Sequence, residues 1–404
     1  MDPYSNPYRP GAGTQPPALV GRDALIDRFG ITIRRALHGQ PGKSLMPIGL
    51  RGVGKTVLLN RFAEIAGTEG YVVGSVEAPD DESFVMRLAG ELRRLLLDLD
   101  RVRKASTAVS RALSVLKSFT YHFPDGTSIS LGVQPLAGYG DSGDLTRDLT
   151  DVLVAVGQAA GDRGQGLLLS IDELQYLSRK ELGALITAIH RTTQLDLPVV
   201  LVGAGLPQLP GLAGEAKSYA ERLFDFPMIG SLDAADARAA LEVPASELDV
   251  EFARGALDLL VGSAQGYPYF LQEWGSHAWN AASNSPIKRE DVLAVADAVQ
   301  HQLDENFFRV RFDRLTPREK DYLRAMAELG QGPHRSGSIA RELGIAVESA
   351  GPMRSNLIGK GMIYSPGHGE TAFTVPLFDQ FIRRAMPTST PRRRTNGRTP
   401  QKPS

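Results

Sequence analysis

Gly49-Leu50-Arg51-Gly52-Val53-Gly54-Lys55-Thr56 has the G-x-x-x-x-G-K-T spacing of a phosphate-binding loop. An apolar run at 45–48 precedes it and predicts a buried strand, and residues 53–65 follow with helical apolar spacing. In such a loop consecutive backbone amides surround a polyphosphate, and the helix N-terminus adds partial positive charge. Lys55 could reach the β- and γ-phosphates, and the Thr56 hydroxyl could ligate Mg²⁺. The flanking elements argue against a chance glycine-rich turn, so the sequence predicts binding of a nucleoside triphosphate.

A second stretch predicts the acidic partner that such a loop needs: Leu167-Leu168-Leu169-Ser170-Ile171-Asp172-Glu173. Its apolar residues indicate a buried strand, which would deliver Asp172 to the edge of the sheet beside Mg²⁺. Glu173 could then orient the water that attacks the γ-phosphate. The alternative, a core strand that ends in an acidic helix cap, is disfavoured by the phosphate-binding loop. Adjacent carboxylates also favour hydrolysis over a small-substrate kinase, which must exclude water.

Strand and helix patterns alternate over residues 18–230 and predict an α/β fold, with a parallel sheet and helices on both faces. The strand candidates are 45–48, 71–76, 167–171, 199–202 and 226–229. An insertion over residues 82–143 interrupts the alternation. It predicts a long amphipathic helix over 82–118, broken near Ser106, then a hairpin within 119–133 and a mobile glycine-rich loop. No function of this insertion can be inferred from its residues.

The rest of the chain divides by pattern into four further segments. Residues 231–312 carry four helical patterns and predict a helical lid. Residues 313–386 predict a winged helix, because three helices precede two extended segments around a Pro366-Gly367-His368-Gly369 turn. Thr316-Pro317-Arg318-Glu319 is the expected start of the first of these helices. Residues 1–17 and 387–404 predict a disordered leader and a basic disordered tail.

Length and composition limit the classes of protein to which this chain can belong. The chain has 404 residues, 42% of them hydrophobic, which suffices for two or three domains with real cores. It has no cysteine, which excludes a disulfide framework and favours a cytoplasmic location. The longest apolar stretch, 197–212, contains three prolines and is not expected to span a membrane.

The formal net charge of −1 conceals an asymmetry. Residues 381–404 carry seven basic side chains and no acidic one, so residues 1–380 carry a charge of −8. Such a tail attracts polyanions such as DNA, although a solubilising tail without a partner is equally consistent with it.

The two motifs, followed by a helical lid and a winged helix, resemble the AAA+ ATPases over about residues 18–380. The resemblance is strongest to the origin-recognition-like branch and to the related signal-transduction ATPases with numerous domains (STAND). More narrowly, the chain resembles bacterial ATP-binding proteins with an AAA ATPase domain. Three weaker motifs match: Leu19-Val20-Gly21-Arg22-Asp23, which covers the adenine in those families, Tyr219-Ala220-Glu221-Arg222-Leu223-Phe224, and Gly266-Tyr267-Pro268.

This resemblance implies ATP or ADP and Mg²⁺ as ligands. The nucleotide would be bound by Val20, Gly21, Gly49, Arg51, Gly52, Val53, Gly54, Lys55, Thr56, Val57 and Pro268. Thr56 and Asp172 would hold the metal, while Glu173 and Lys55 would serve in hydrolysis. Arg222 would reach a γ-phosphate, often that of a neighbouring subunit in a homo-oligomer. A solvated pair of Glu221 and Arg222 is the alternative for that arginine.

Two departures from the family favour slow hydrolysis and a nucleotide-dependent switch. The fourth strand ends in Val202-Gly203-Ala204-Gly205, where such proteins carry a polar sensor residue. Gln208 is the nearest substitute. In the lid, Gly266-Tyr267-Pro268 is followed by Tyr269-Phe270-Leu271-Gln272 rather than by a sensor arginine.

The predicted winged helix leaves two functions open. Arg354 and Asn356 could read base edges and Lys360 could contact phosphate, which would couple ATP hydrolysis to DNA. Winged helices also dock proteins. The alternative is therefore an ATP- or ADP-binding STAND-like regulator that signals through a protein partner with little turnover.

Overall fold

The computed structural model describes residues 1–11, 13–78, 84–101, 107–121, 134, 136 and 138–387. The chain forms two compact units, Met1–Ala296 and Asp297–Ser404. The predicted break near Ser106, the part of the predicted hairpin at 122–133 and the basic tail from 388 onward lie outside the described residues. None of the described helices is long and apolar enough to cross a membrane.

The first unit alternates strands and helices and ends in a group of helices. Its strands are β1 (Ser44–Leu45), β2 (Tyr71–Glu77), β3 (Gly166–Asp172), β4 (Val199–Gly203) and β5 (Phe224–Asp225). Helices α1–α6 are α1 (Asp23–Leu37), α2 (Lys55–Thr68), α3 (Phe84–Arg101), α4 (Thr107–Tyr121), α5 (Leu145–Gly161) and α6 (Arg179–Gln194). Then come α7 (Leu209–Ala216), α8 (Ala220–Leu223), α9 (Ala234–Ser246), α10 (Arg254–Ala264), α11 (Pro268–Ala281) and α12 (Arg289–Gln302), whose last residues enter the second unit.

All strand pairs of the first unit are parallel. β2, β3 and β4 form one sheet in that order, and β1 pairs with β5. Ile48 bridges Gly205 after β4 and Met228 after β5, so the strand that enters the phosphate-binding loop lies between them. Leu167, Leu168 and Leu169 of β3 are fully buried, as expected for a strand covered on both faces. The predicted α/β fold is confirmed.

The insertion packs into the same core as the sheet. Phe84, Leu88 and Leu92 of α3 and Phe119 of α4 are all buried in that core. The prediction of an extended segment from 119 is wrong for residues 119–121, which continue α4. Helical spacing explains the difference, because Phe119 lies four residues after the buried Val115 and points to the same face.

The first residues of the chain are ordered against the lid helices, which corrects the predicted disordered leader. The Tyr8 hydroxyl donates to the Leu241 carbonyl at 2.5 Å, and the Tyr8 ring packs edge-on against Trp279. The Asn6 amide donates to the α11 backbone at 3.0 Å. Gly275 makes this approach possible, because a Cβ atom there would lie 2.9 Å from the Tyr8 ring. The Pro- and Gly-rich composition does not reveal these specific contacts.

The second unit contains helices around a small antiparallel sheet. After the helical segment Leu303–Arg309, its elements are α13 (Val310–Phe312), α14 (Pro317–Glu328), β6 (His334–Arg335), α15 (Ser336–Glu342), α16 (Val347–Gly359), β7 (Ile363–Tyr364), β8 (Glu370–Phe373) and α17 (Phe378–Ala385). The sheet order is β6-β8-β7. The three predicted helices and two predicted strands are present, whereas β6 and α17 were missing from the prediction.

Residues 303–312 belong to this second unit rather than to the lid. The Phe308 ring stacks on Phe378 and Phe381 of α17, with centroids 5.7 Å and 5.3 Å apart. Phe312 packs edge-on against Phe381 at 5.6 Å. The helical pattern continues from α12 without a break, so the sequence did not indicate that its apolar residues change partners.

α14 begins with the predicted cap. The Thr316 N–H donates to the Glu319 carboxylate at 2.8 Å, and the Glu319 N–H donates back to the Thr316 hydroxyl. Lys360 forms an ion pair with Glu319 at 2.7 Å. Burial raises the pKa of Glu319, but the hydrogen bonds from Lys360 and Thr316 outweigh it and hold that pKa below its ordinary value. Glu319 therefore stabilises this unit while it is ionised.

We expect Glu319→Gln to destabilise the second unit by about 1 kcal/mol at pH 7, a typical value for a lost capping interaction. A carboxyl group with a lowered folded-state pKa stabilises above its unfolded pKa of about 4.3, and that stability is lost as the pH falls through the folded value. Scanning calorimetry should therefore show a lower melting temperature for Glu319→Gln than for the parent chain at pH 7, and a smaller difference at pH 3. Glu342→Gln, an exposed site on α15, is the control. An equal difference in melting temperature at both pH values would contradict the role of ionised Glu319.

Candidate nucleotide-binding site

The loop between β1 and α2 has the backbone that a phosphate-binding loop requires. Gly52 and Gly54 have φ angles of +82° and +92°, in the left-handed region that favours glycine. A Cβ atom on Gly52 would lie 2.9 Å from the Tyr267 ring, and one on Gly49 would lie 2.2 Å from the Ile229 carbonyl oxygen. Larger residues at these positions would therefore displace the loop from its surroundings.

Lys55 begins α2 and is buried. Its Nζ donates to the carbonyls of Gly49 and Leu50 at 3.1 Å and 3.0 Å. Burial lowers the pKa of Lys55, while the nearby carboxylates of Glu173 and Asp172 act in the opposite direction. A buried ammonium group whose hydrogen bonds go to carbonyls is stabilised when an anion binds beside it. This arrangement fits a polyphosphate held by the loop.

Thr56 and Asp172 lie together although 116 residues separate them. The Thr56 hydroxyl donates to Asp172 Oδ2 at 2.5 Å. Burial raises the pKa of Asp172, and the hydrogen bond from Thr56 opposes that effect. No group of three or more His, Cys, Asp or Glu among the described residues could form a complete metal site. One hydroxyl and one carboxylate suit Mg²⁺, which usually completes its shell with water and substrate phosphates.

Glu173 lies at a sharp turn out of β3. Its backbone is left-handed, with φ 54° and ψ 38°, which is uncommon for a residue other than glycine. Its N–H donates to Asp172 Oδ1 at 2.8 Å, and its carboxylate accepts a hydrogen bond from the Gln175 amide. The two predicted carboxylates are therefore adjacent to each other, and Asp172 also contacts Thr56. Gln175 was not predicted from the sequence.

Two arginines connect the loop to neighbouring segments. Arg51 donates to the Tyr176 hydroxyl in the turn after β3. Arg22 donates to the Gly230 carbonyl at 2.7 Å and to the Val53 carbonyl at 3.4 Å. Burial lowers the pKa of Arg22, against the nearby Asp236 carboxylate of α9. These contacts hold the loop between β3 and the segment before α1.

The remaining predicted nucleotide-binding residues lie on the elements around the loop. Gly21 has a φ of +68°, and a Cβ atom there would lie 2.3 Å from the Asp236 carboxylate. Val20 precedes it and is half-buried, as is Val57 in the first turn of α2. Pro268 is the first residue of α11, directly after Tyr267, whose ring covers Gly52. The lid therefore contacts the loop through Tyr267.

Arg222 is not joined to this group. It is exposed on α8, and its side chain makes no hydrogen bond or ion pair with the residues that the structure describes.

The three residues predicted to contact DNA have different surroundings within the second unit. Arg354 donates to the Thr371 and Ser365 hydroxyls, both at 2.9 Å, and to the Glu370 carbonyl at 3.0 Å. Lys360 is paired with Glu319, as described above. Asn356 is exposed. Arg354 and Lys360 therefore bind within their own unit, and their contacts with DNA stay predictions.

Residues 18–202 match the AAA ATPase domain family, a range that includes the loop, Asp172 and Glu173. This segment is therefore similar to AAA ATPase domains. Residues 305–382, within the second unit, match a family described as a domain of unknown function (DUF8462). No curated protein matches the chain.

Three solved structures illustrate what the chain is similar to. The Walker-type ATPase PABY2304 of Pyrococcus abyssi is 18% identical with a TM-score of 0.55, over 93% of this chain and 98% of that one. The Holliday junction branch migration motor RuvB of Thermotoga maritima is 16% identical with a TM-score of 0.45, over 87% and 92%. Aeropyrum pernix ORC1, solved in complex with DNA, is 18% identical with a TM-score of 0.44, over 92% and 94%. The first similarity supports the fold, and the other two are too low to carry an argument.

Proposed function

We propose that this protein binds ATP with Mg²⁺ and hydrolyses it slowly, as a nucleotide-dependent switch. The observation that carries the proposal is the junction of the loop with the end of β3. The Thr56 hydroxyl is 2.5 Å from Asp172 Oδ2, and the adjacent Lys55 ammonium is buried against loop carbonyls.

Each residue has a chemical role in this proposal. The loop amides and Lys55 hold the phosphates, and Thr56 and Asp172 hold Mg²⁺. When bound, Mg²⁺ would neutralise charge on the phosphate oxygens. Glu173 accepts a hydrogen bond from the attacking water and orients it toward the γ-phosphorus. The water oxygen bonds to the γ-phosphorus as the bond from that phosphorus to the bridging oxygen breaks, so that ADP and inorganic phosphate leave. One water proton stays on the inorganic phosphate, and the other passes to solvent by way of Glu173.

Slow turnover is supported by what surrounds this group. β4 ends in Gly203 and is followed by Ala204 and Gly205, none of which has a polar side chain. Tyr267 packs on Gly52 from the lid, and no arginine follows it in the first turn of α11. Fewer charged groups are then available to stabilise charge that develops in the transition state, a contribution that is usually large.

Arg222 is proposed to act in a neighbouring subunit, because its exposed side chain has no partner among the described residues of its own chain. Turnover per protomer should therefore rise with protein concentration over a hundredfold range, and Arg222→Ala should flatten that rise. An arginine supplied to a phosphoryl transfer can contribute about 10³-fold or more, so the effect should be easily measured. Arg179→Ala, an exposed arginine at the start of α6, is the control. A parent chain whose specific activity stays flat on dilution would rule out action in trans.

The second unit is proposed to be the output domain. Its order of helices and strands resembles that of a winged helix, in which α16 would be the element that enters a DNA groove. Glu348 and Asn356 are exposed on α16, while Arg354 and Lys360 are engaged internally. This sparse charge favours a protein partner over DNA as the target of the unit.

ATP turnover measured with and without duplex DNA, over a range of protein concentrations, tests the proposal. We expect Mg²⁺-dependent release of phosphate with less than a twofold response to DNA. A large salt-sensitive stimulation that persists after removal of residues 388–404 would overturn the choice of a protein partner. Absence of ATP turnover, with tightly retained ADP in the purified protein, would contradict hydrolysis and favour a regulator that only binds nucleotide.

A further inference from the structure

The short helical turn after β3, residues Leu174–Tyr176, contacts both β4 and the phosphate-binding loop. The Leu174 N–H donates to the Ala204 carbonyl at 2.9 Å, directly after β4. Tyr176 accepts a hydrogen bond from Arg51 of the loop. The residue between them, Gln175, therefore lies where three parts of the candidate site meet.

The Gln175 side chain uses both ends of its amide. Its Oε1 accepts a hydrogen bond from the Leu206 N–H at 2.9 Å, and its Nε2 donates to the Glu173 carboxylate. The partners fix which way the amide points, because a backbone N–H can only donate and an ionised carboxylate can only accept. One side chain thus joins Glu173 to the segment that follows β4.

Small residues at the end of β4 leave room for this turn. A Cβ atom on Gly205 would lie 2.9 Å from Gln175 Oε1, and one on Gly203 would lie 2.3 Å from Leu174 Cδ1. Side chains of the turn thus fill the space beside the glycines that replace the expected polar sensor residue. A larger side chain at the end of β4 would therefore clash with the turn that carries Gln175.

Gln208, the nearest polar substitute by sequence, is not connected in this way. Its Oε1 is buried and has no hydrogen-bond partner among the described residues. It precedes α7 and makes no described contact with Glu173. Gln175 is therefore the better candidate for the missing function.

We infer that Gln175 is a positioning residue that holds the Glu173 carboxylate for hydrolysis and replaces the sensor residue missing from β4. This inference rests on the proposed ATP hydrolysis. Glu173 has a left-handed backbone at a turn, so no regular helix or strand orients its carboxylate. The amide of Gln175 supplies that orientation and couples it to the segment after β4. Misplacing a reacting group by about 1 Å can reduce a rate about 10²-fold.

Two substitutions separate this role from a structural one. Gln175→Met removes both hydrogen bonds at similar length. Gln175→Glu keeps an acceptor for the Leu206 N–H but has no donor for Glu173. We expect both to lower kcat by about 10- to 100-fold while the dissociation constant for ATP changes by less than twofold. If only the Leu206 contact matters, Gln175→Glu will keep the parent kcat, and the inference is overturned.

A double-mutant cycle provides the decisive readout. In single-turnover assays with Glu173→Gln as the background, Gln175→Met should change the rate by less than twofold, because the carboxylate it positions is already absent. Additive losses would overturn the inference, as would a Gln208→Leu variant that loses kcat while Gln175→Met does not. Gln194→Leu, exposed at the end of α6, is the matched control.

The same assays distinguish failure of the inference from failure of the proposed function. If the parent chain hydrolyses ATP, Glu173→Gln does not, and Gln175→Met retains the parent kcat, only the inference fails. If the parent chain shows no turnover at any concentration, hydrolysis is wrong and the role of Gln175 falls with it.

Discussion

Glu173→Gln is expected to bind ATP with the affinity of the parent chain and to hydrolyse it about 10²- to 10⁴-fold more slowly, the usual contribution of a general base. The substitution keeps the size of the side chain and removes the charge that would orient the attacking water. Asp172 and Thr56 are unchanged, so the metal and phosphates would still be held. Phosphate release and equilibrium binding of radiolabelled ATP, measured on the same preparation, separate the two properties.

The matched control for this variant is Glu215→Gln, an exposed glutamate on α7. It should hydrolyse ATP like the parent chain, because no described contact links it to the site. Parent-like turnover in Glu173→Gln would show that another group orients the water. Loss of ATP binding in Glu173→Gln would instead indicate that Glu173 belongs to the binding machinery.

Lys55→Ala is expected to lower ATP affinity by about 10- to 100-fold or more, since a hydrogen bond to a charged group contributes about 1.5–3 kcal/mol. The folded protein should tolerate the change, because the substitution removes a buried ammonium whose hydrogen bonds, among the described residues, go to two carbonyls. We therefore expect an unchanged or raised melting temperature without nucleotide. ATP should no longer raise that temperature as it does for the parent chain.

Lys180→Ala, exposed on α6, controls for the loss of one positive charge. It should retain both affinity and the thermal shift with ATP. If Lys55→Ala binds ATP like Lys180→Ala, the loop does not hold the phosphates by this side chain. If it unfolds instead, Lys55→Met tests the same charge while filling the buried space.

The elements that could be predicted from the sequence are those with a clear apolar pattern or a motif of fixed spacing. β3 is apolar at Leu167, Leu168, Leu169 and Ile171 and ends in Asp172, a pattern that fits a buried parallel strand. The loop glycines and Lys55 have a spacing with one structural solution. The start of α14 carries a reciprocal cap that is visible in four residues. Local information sufficed in each case.

Other features depend on partners that are distant in the chain and could not be predicted. Tyr8 is buried because it meets Leu241 and Gly275. Arginine is a residue type that often contacts base edges, yet the guanidinium of Arg354 donates to the Ser365 and Thr371 hydroxyls. The contacts of Gln175 could not be predicted either, since they involve residues about 30 positions later in the chain.

Lys55, Thr56, Asp172 at the end of β3 and Glu173 are proposed to form one site for Mg²⁺ and ATP. A crystal structure of Glu173→Gln with ATP and Mg²⁺ would show whether they do. We expect the β- and γ-phosphates within hydrogen-bond distance of Lys55 Nζ, with Mg²⁺ ligated by the Thr56 hydroxyl and lying beside Asp172. Triphosphate bound elsewhere on the chain, or bound here with the metal remote from both Thr56 and Asp172, would contradict the account.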